Sequence, residues 1–511
     1  MIERITAGTR RGLLAVAGNV GLFVTTAFFV TGLLILGPNV WWREYIDMFE
    51  RYVLIPWGMA LCLLRLERRV RAEQKGMRWD IAVLFFLLAW IVVPFALRFG
   101  NTFNNSGSWH NHAVLFFGLY ALTTEEAPAR RERLFDLTAL LFALCSLALG
   151  AALLYCVAAV RKFGDVEFAF GVCDGMYLCA NGHYNNTGML AVCCALMALA
   201  GASRFRNGLL RLLCVVSAVM MTLVTVLTQS RTARYALIAA YSVMAFGAVL
   251  CTGRIRRTAV RALAAVLTAC MTAVVCYGGA AMLTDAAVAH YNRAALASAG
   301  KPEAAPANEA PEKAPASQED AEKAPAPQED AKKAPAQENT EQAPAKESAE
   351  EPQAADVLYE ARAAVDASFS GRTAIWRNLM KRWKENPKYL MIGHGVGRVG
   401  QLVTEGTIHE GRESVSIHNA YLQFTADYGL IAFALLCAFF ALIAAPVWRV
   451  YAARGAARRP GYDALCGIVA ASLMTGMMES APLGAMTPMN MMLFFSLALL
   501  FARGRDAKNE G

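Results

Sequence analysis

Twelve long apolar runs divide this chain of 511 residues, and they constrain its fold more than any other feature. They cover 14–36, 52–66, 80–98, 113–124, 136–160, 187–203, 209–228, 233–252, 259–283, 421–447, 463–480 and 485–502. A helix crossing the hydrocarbon core needs roughly 20 apolar residues, and a chain in lipid must satisfy its backbone polar groups internally. The second and fourth runs are short; they extend into polar flanks or re-enter the face they came from. The first is longer than a signal-peptide core, with no convincing cleavage site, so it reads as an anchor. With 56% hydrophobic and 17% charged residues, against about a quarter charged in a soluble domain, a water-soluble enzyme is excluded. The expected class is all-α: a polytopic membrane protein of about twelve transmembrane helices.

The short loops set sidedness. Alternate loops, beginning with the N-terminus, hold 26 Lys and Arg, and the opposite short loops hold 7. That bias predicts both termini in the cytoplasm and an even number of spans. It also accounts for most of the net charge of +9, which removes the case for nucleic-acid binding. All seven histidines fall on the external side. Eleven of the thirteen cysteines lie in or beside apolar runs, where a thiol acts as a small hydrophobe. Cys173 and Cys179 share an external loop and are a candidate disulfide in an oxidising compartment; two thiols are the alternative. No CxxC or Cys/His zinc spacing occurs, so a structural metal is not expected; no cofactor is expected either.

The expected organisation is helices one to nine over 1–283, an external loop over 284–420, helices ten to twelve over 421–502, and a cytoplasmic tail over 503–511. Within the loop, 301–355 repeats Ala-Pro-Ala at 305, 314, 324, 334 and 343 and carries 13 acids against 6 bases. Such a stretch has too little apolar surface to offset its ordering entropy, so a disordered, Pro-stiffened insertion is expected. Residues 356–420 read as folded. Ile375, Trp376, Leu379, Met380 and Trp383 share one helical face, with Arg377, Lys381, Arg382 and Lys384 elsewhere. That pattern fits a helix on the membrane surface near anionic headgroups or diphosphates, and equally a helix packed on the transmembrane bundle. The following GHGVGRVG (393–400) matches GxGxxG, but no βαβ unit surrounds it. Its glycines fit a tight turn that lets backbone approach a substrate closely.

Three external polar residues are candidates for chemistry. Arg231 follows the seventh run in TQSRTAR, Arg372 precedes the amphipathic helix in SGRTAIW, and His418 opens the tenth run in SIHNAYLQF. Ionisable groups this close to hydrocarbon often mark function. Arginine presents a fork suited to phosphate oxygens, and a neutral histidine can take a proton from a hydroxyl. Each has a plainer reading: Arg231 as a snorkelling helix-end anchor, Arg372 as a surface charge in a first turn, His418 as a helix-start residue bonded to backbone.

The stretch HNAYLQFTADYGLIAFALL (418–436) resembles the His-Asn-x-x-Leu…acidic-x-Gly-Leu signature of the O-antigen ligase and polymerase superfamily. GRTAIWRNLMKRWKENPKYLMIGHGVG (371–397) is similar to its preceding Arg…Trp…Pro…Gly-x-Gly segment, and SRTARYALIAA (230–240) to its earlier Ser-Arg helix start. The large periplasmic loop before a final three spans also matches. The resemblance implies a glycosyltransferase-C-like helical fold in the bacterial inner membrane. It also implies an inverting, metal-independent enzyme that transfers glycan from undecaprenyl diphosphate at the periplasmic face. Ligation to lipid A–core, in lipopolysaccharide biosynthesis, is the expected activity. A lipid-linked glycan acceptor (a polymerase) or a protein acceptor (an O-linked oligosaccharyltransferase) are the alternatives. Carried over, Arg231 and Arg372 hold the diphosphate and His418 orients or deprotonates the acceptor hydroxyl. Asn419, Tyr421 and Trp376 are expected to line the substrate site. Asp427 occupies the acidic position. The 301–355 insertion departs from the pattern, and His394 competes with His418 for the catalytic role. A transporter is a rival from another class, but the spans lack the central charges that would line a path.

Overall fold

The computed structural model describes residues 128–163, 170–173, 177–180, 184–251, 258–299, 369–395, 399, 403, 416–452, 460–480, 483 and 488–510. The expected spans over 14–36, 52–66, 80–98 and 113–124 lie outside these residues. So do the 301–355 insertion, residues 356–368 and most of the stretch between 396 and 415. Contacts divide the chain into a unit of 1–291 with 368–511 and a second unit of 292–367. Everything below belongs to the first, apart from the last turns of α5.

In chain order the elements are α1 (Pro128–Ala159), β1 (Lys162–Phe163), β2 (Phe170–Cys173), β3 (Tyr177–Cys179), α2 (Tyr184–Arg204), α3 (Gly208–Leu227), α4 (Arg231–Leu250), α5 (Thr258–Ala299), α6 (Phe369–Glu385), α7 (Pro387–Ile392), α8 (Ala420–Tyr451), α9 (Tyr462–Met478) and α10 (Pro488–Glu510). Every apolar run from 136 onward coincides with a helix. Six of the described helices (α1 to α5 and α8) are long and apolar enough to cross a membrane.

Burial ranks the helices. In α2, 83% of the most apolar window is buried, against 11% in α5. Helix α2 packs against α1, α3, α4, α9 and α10. Its inward residues are small or pliable: Cys193, Cys194, Ala195, Met197 and Ala198 are all 0% exposed. Short side chains let neighbouring backbones approach closely, which is how helices associate in lipid without a hydrophobic driving force between them. Phe135, Met489 and Phe495 fill the larger gaps. Side-chain caps start the helices: Asn207 accepts from Leu209 N and Leu210 N, Ser230 from Ala233 N, and Asn419 from Tyr421 N and Leu422 N.

The all-α expectation needs one correction. Residues 162–179 hold a three-stranded antiparallel sheet in the order β1-β2-β3. Gly171 sits at φ 113°, and a Cβ there would collide with the Arg161 carbonyl. The two cysteines of the candidate disulfide lie in this sheet. The register sets Cys179 opposite Gly171 and Cys173 opposite Tyr177, so the two cysteines lie diagonally across the ladder. Both are thiols. Cys173 Sγ donates to Gly171 O (3.7 Å) and Cys179 Sγ to Tyr177 O (3.8 Å).

The amphipathic helix is α6, and its apolar face packs on protein, as one of its two compatible expected settings requires. Ile375, Leu379 and Trp383 are buried against Val399, Val403, Ile417 and Ala426. Met380, expected on that face, is 39% exposed. Arg377, Lys381, Lys384 and Lys388 point away from the core.

Helix α8 is broken near its start. Gly429 has φ 89° and ψ 167°, outside helical space. The break frees the carbonyls of Ala426 and Asp427, which accept instead from His394 N (2.6 Å) and Gly395 N (3.0 Å). The Gly-His-Gly turn after α7 thus caps the short upper segment of α8. Gly393, at φ 77°, and Gly429 face each other so closely that a Cβ on either would strike opposing backbone. Of the glycines of this motif, Gly393 and Gly395 (φ 94°) lie in a tight turn, while Gly397 and Gly400 lie outside the described residues. The backbone that Gly393 and Gly395 approach is that of α8.

Candidate active site

The starts of α2, α4, α6 and α8 and the end of α9 meet at one end of the bundle. There the structure brings together His418, Arg372 and a residue absent from the expected set, Glu479. His418 Nδ1 donates to Glu479 Oε2 at 2.9 Å. Arg372 Nη2 donates to Glu479 Oε1 at 3.1 Å, and its Nη1 donates to the Met478 carbonyl at 2.8 Å. Asn185 Nδ2 reaches the same Oε1 at 3.3 Å.

Glu479 is the C-cap of α9, and its side chain is 11% exposed. Burial alone would raise its carboxyl. The hydrogen bond and charge of His418, with the Arg372 guanidinium, more than offset this and hold it below the ordinary carboxylate range. A carboxylate accepting on both oxygens fixes what surrounds it. When His418 is neutral, an Nδ1–H directed at Oε2 leaves the imidazole lone pair on Nε2.

His418 is pinned from both sides. It adopts φ 53°, a left-handed conformation that a residue with a Cβ seldom takes. Its amide donates to Ser416 Oγ (3.1 Å), and Ser416 Oγ is itself hydrogen-bonded to Ser480 Oγ. The Ile417 amide donates to Gln423 Oε1 (3.0 Å), and the Ile417 carbonyl accepts from Trp376 Nε1 (2.8 Å). Gln423 Nε2 in turn donates to Asp427 Oδ2 (2.9 Å). Backbone strain of this kind persists only where surrounding contacts over-determine it, and it gathers at functional sites.

The other expected site residues have defined places. Asn419 caps α8 and donates to the Met477 carbonyl (3.2 Å). Tyr421 OH donates to Leu473 O (3.0 Å), and its ring lies 3.2 Å from where a Cβ on Gly476 would sit. Asn419, Tyr421 and Trp376 therefore direct polar atoms at main-chain carbonyls and fix how α6, α8 and α9 meet. Asp427, unassigned from sequence, supports Gln423. Arg231 is the first residue of α4, with an exposed side chain. His394 is 6% exposed and stacks on Tyr389 with ring centroids 4.5 Å apart. That stacking, with its capping amide, gives it a packing role in the α7–α8 contact.

Sequence reasoning missed Glu479 and Asn185. A signal for the first existed: between 464 and 502 Glu479 is the only charged residue. Asn185, in HYNNTG, carried none. Among the described residues no group of three or more His, Cys, Asp or Glu is placed to hold a metal.

Residues 216–437 match a family model described as O-antigen ligase. That span includes Ser230, Arg231, Arg372 and His418, while Asn185 and Glu479 lie outside it. No curated protein matches the chain. With six described helices able to cross a membrane, the chain is a multi-pass membrane protein that is similar to the O-antigen ligase family over residues 216–437.

Proposed function

We propose that the protein is an O-antigen ligase of the bacterial inner membrane. It moves glycan from undecaprenyl diphosphate to a hydroxyl of lipid A–core at the periplasmic face, with inversion and without a metal. The observation that carries this reading is the His418–Glu479 pair with Arg372 on the second carboxylate oxygen. The pair suits proton abstraction. As the acceptor oxygen bonds the anomeric carbon, its proton passes to His418 Nε2, and Glu479 stabilises the imidazolium that forms. The bond from the anomeric carbon to the diphosphate oxygen breaks, and its electron pair leaves with the diphosphate. Arg231, and the Arg372 donors not directed at Met478 and Glu479, neutralise the charge that develops there. Displacement from the opposite face inverts the anomeric centre.

The test is a surface-glycan gel on a deletion strain complemented with wild type, His418→Ala, Arg231→Ala or Arg372→Ala. Each variant is expected to insert normally and to leave bare core lipid, with full-length glycan retained on the carrier. Core capped by a single repeat would assign a polymerase instead. An unchanged lipopolysaccharide ladder in the deletion strain, with loss of glycan from proteins, would assign a protein acceptor. Normal ligation by His418→Ala would overturn the mechanism.

The 301–355 repeat has no place in this chemistry. Its composition offers no core, so deleting it is expected to leave membrane insertion and the glycan ladder unchanged on the same gel.

A further inference from the structure

Two neutral residues complete the site. Glu479 Oε1 accepts from Asn185 Nδ2 at 3.3 Å, and Asn185 Oδ1 accepts from Ser230 Oγ–H at 2.6 Å. Ser230 Oγ itself accepts from Ala233 N at 3.2 Å, and the Ser230 amide donates to Thr228 Oγ1 at 3.3 Å. The directions are self-consistent. A hydroxyl that accepts a helix-cap hydrogen bond has its proton left for Asn185 Oδ1. That fixes which end of the Asn185 carboxamide faces the carboxylate. The chain of donors runs from the N-terminus of α4 to Glu479 and on to His418.

Two backbone features make the chain reachable. Gln229, at φ 55°, turns the backbone into Ser230. Gly188 lets α2 close on the start of α4: a Cβ there would lie 2.5 Å from Ala233 Cβ and 3.0 Å from Thr228 Oγ1. Without that approach Asn185, one turn earlier on α2, would not meet Ser230.

We propose that Asn185 and Ser230 are positioning residues for the transfer reaction. Ser230 orients the Asn185 carboxamide, Asn185 holds the Glu479 rotamer, and Glu479 holds the His418 tautomer. Because Ser230 immediately precedes Arg231, the same chain ties the helix start bearing the diphosphate ligand to the base. This rests on the reading of His418 as the proton acceptor. The charged and titratable groups facing Glu479 among the described residues are Arg372 from α6 and His418 from the turn before α8. Helix α2 contributes the neutral Asn185, and α4 begins with Arg231.

The experiment is steady-state transfer by purified full-length protein, with undecaprenyl-diphosphate glycan and lipid A–core, over a range of pH. Asn185→Asp is nearly isosteric and keeps the acceptor for Ser230. It removes the donor to Glu479 and places a second carboxylate beside it. Partners that orient the ligands of a metal site are worth roughly 10- to 100-fold, and a fall of comparable size in kcat is expected here, with KM for the donor nearly unchanged. The added charge favours the protonated forms of both Glu479 and His418, so the acid limb of the kcat profile moves to higher pH. Ser230→Ala is expected to lower kcat with the limb in its original place, and Ser230→Thr, which retains the hydroxyl, to restore it. A relay that merely packs helices would change thermal unfolding but leave the limb of Asn185→Asp unmoved, and that result would overturn the proposal. If Asn185→Asp does not fold, the Ser230 pair decides: equal kcat for Ala and Thr sinks the relay. His418→Ala run alongside separates the failures. Activity there removes the underlying reading, whereas inactivity beside an unaltered Asn185→Asp removes only the relay.

Discussion

Glu479→Gln is expected to lower kcat by roughly 10³- to 10⁴-fold, comparable to losing the carboxylate that orients a catalytic histidine elsewhere. The substitution keeps the shape of the side chain. It removes the negative charge that His418 Nδ1 and Arg372 share, and the amide nitrogen can present a donor where an acceptor is required. His418 then samples the wrong tautomer, and Arg372 faces a neutral group. KM for the lipid-linked donor is expected to change far less than kcat, because Glu479 acts through His418. Stability should respond to pH as well. Glu479 is held below the ordinary carboxylate range in the folded protein. The stabilisation it contributes is therefore fully present above that range and is lost as pH falls through the lowered value. Wild type should lose thermal stability on acidification more steeply than Glu479→Gln in the same detergent. Parallel slopes, or a kcat within a few-fold of wild type, would show that Glu479 does not set the state of His418.

The second large effect is structural. Gly429→Ala places a methyl group against Met391 O and within 2.6 Å of the Ile392 backbone, at a φ of 89° that alanine disfavours. Neither backbone is the end of a flexible side chain, so the turn over 393–395 must withdraw. The expected destabilisation is about 2–4 kcal/mol, from steric overlap and left-handed strain together. Transfer should fall with it, since withdrawal also releases Asp427, Gln423 and the Ile417 amide that fixes His418. Gly208→Ala is the control. A Cβ there meets nothing within 4 Å, so its unfolding temperature should match wild type or exceed it slightly. Equal melting of the two variants would mean that the Gly393–Gly429 contact contributes little.

Much of the helical scaffold was legible, because a span in lipid writes its length into the sequence. Arg372 and His418 were legible for a related reason: a charge beside hydrocarbon needs a purpose. The setting of α6 was not. Tryptophans opposite lysines fit a bilayer surface and a protein groove equally well, and the groove is supplied by Val399, Val403 and Ile417, distant in sequence. Glu479 was hidden by its position at the end of an apolar run, where a single acid reads as loop. Its meaning depends on Arg372 and His418, 107 and 61 residues away. Asn185 had no local signature, since a neutral amide gains a role only from what it touches. The sheet over 162–179 escaped because strands of two to four residues are too short to show alternation. The break in α8 escaped because one glycine inside an apolar run leaves the hydropathy pattern intact.

That break divides labour along a single helix. From Leu430 to Tyr451 the lower part has 22 residues, about 33 Å at roughly 1.5 Å per residue, which matches a bilayer core of about 30 Å. Residues 420–428 belong instead to the rigid cap built by α6, α7 and the Gly-His-Gly turn. Spans tilt to match bilayer thickness, and in α8 the non-helical Gly429 separates the spanning segment from the residues that frame the site. One helix therefore serves as anchor below the break and as part of the frame of the site above it.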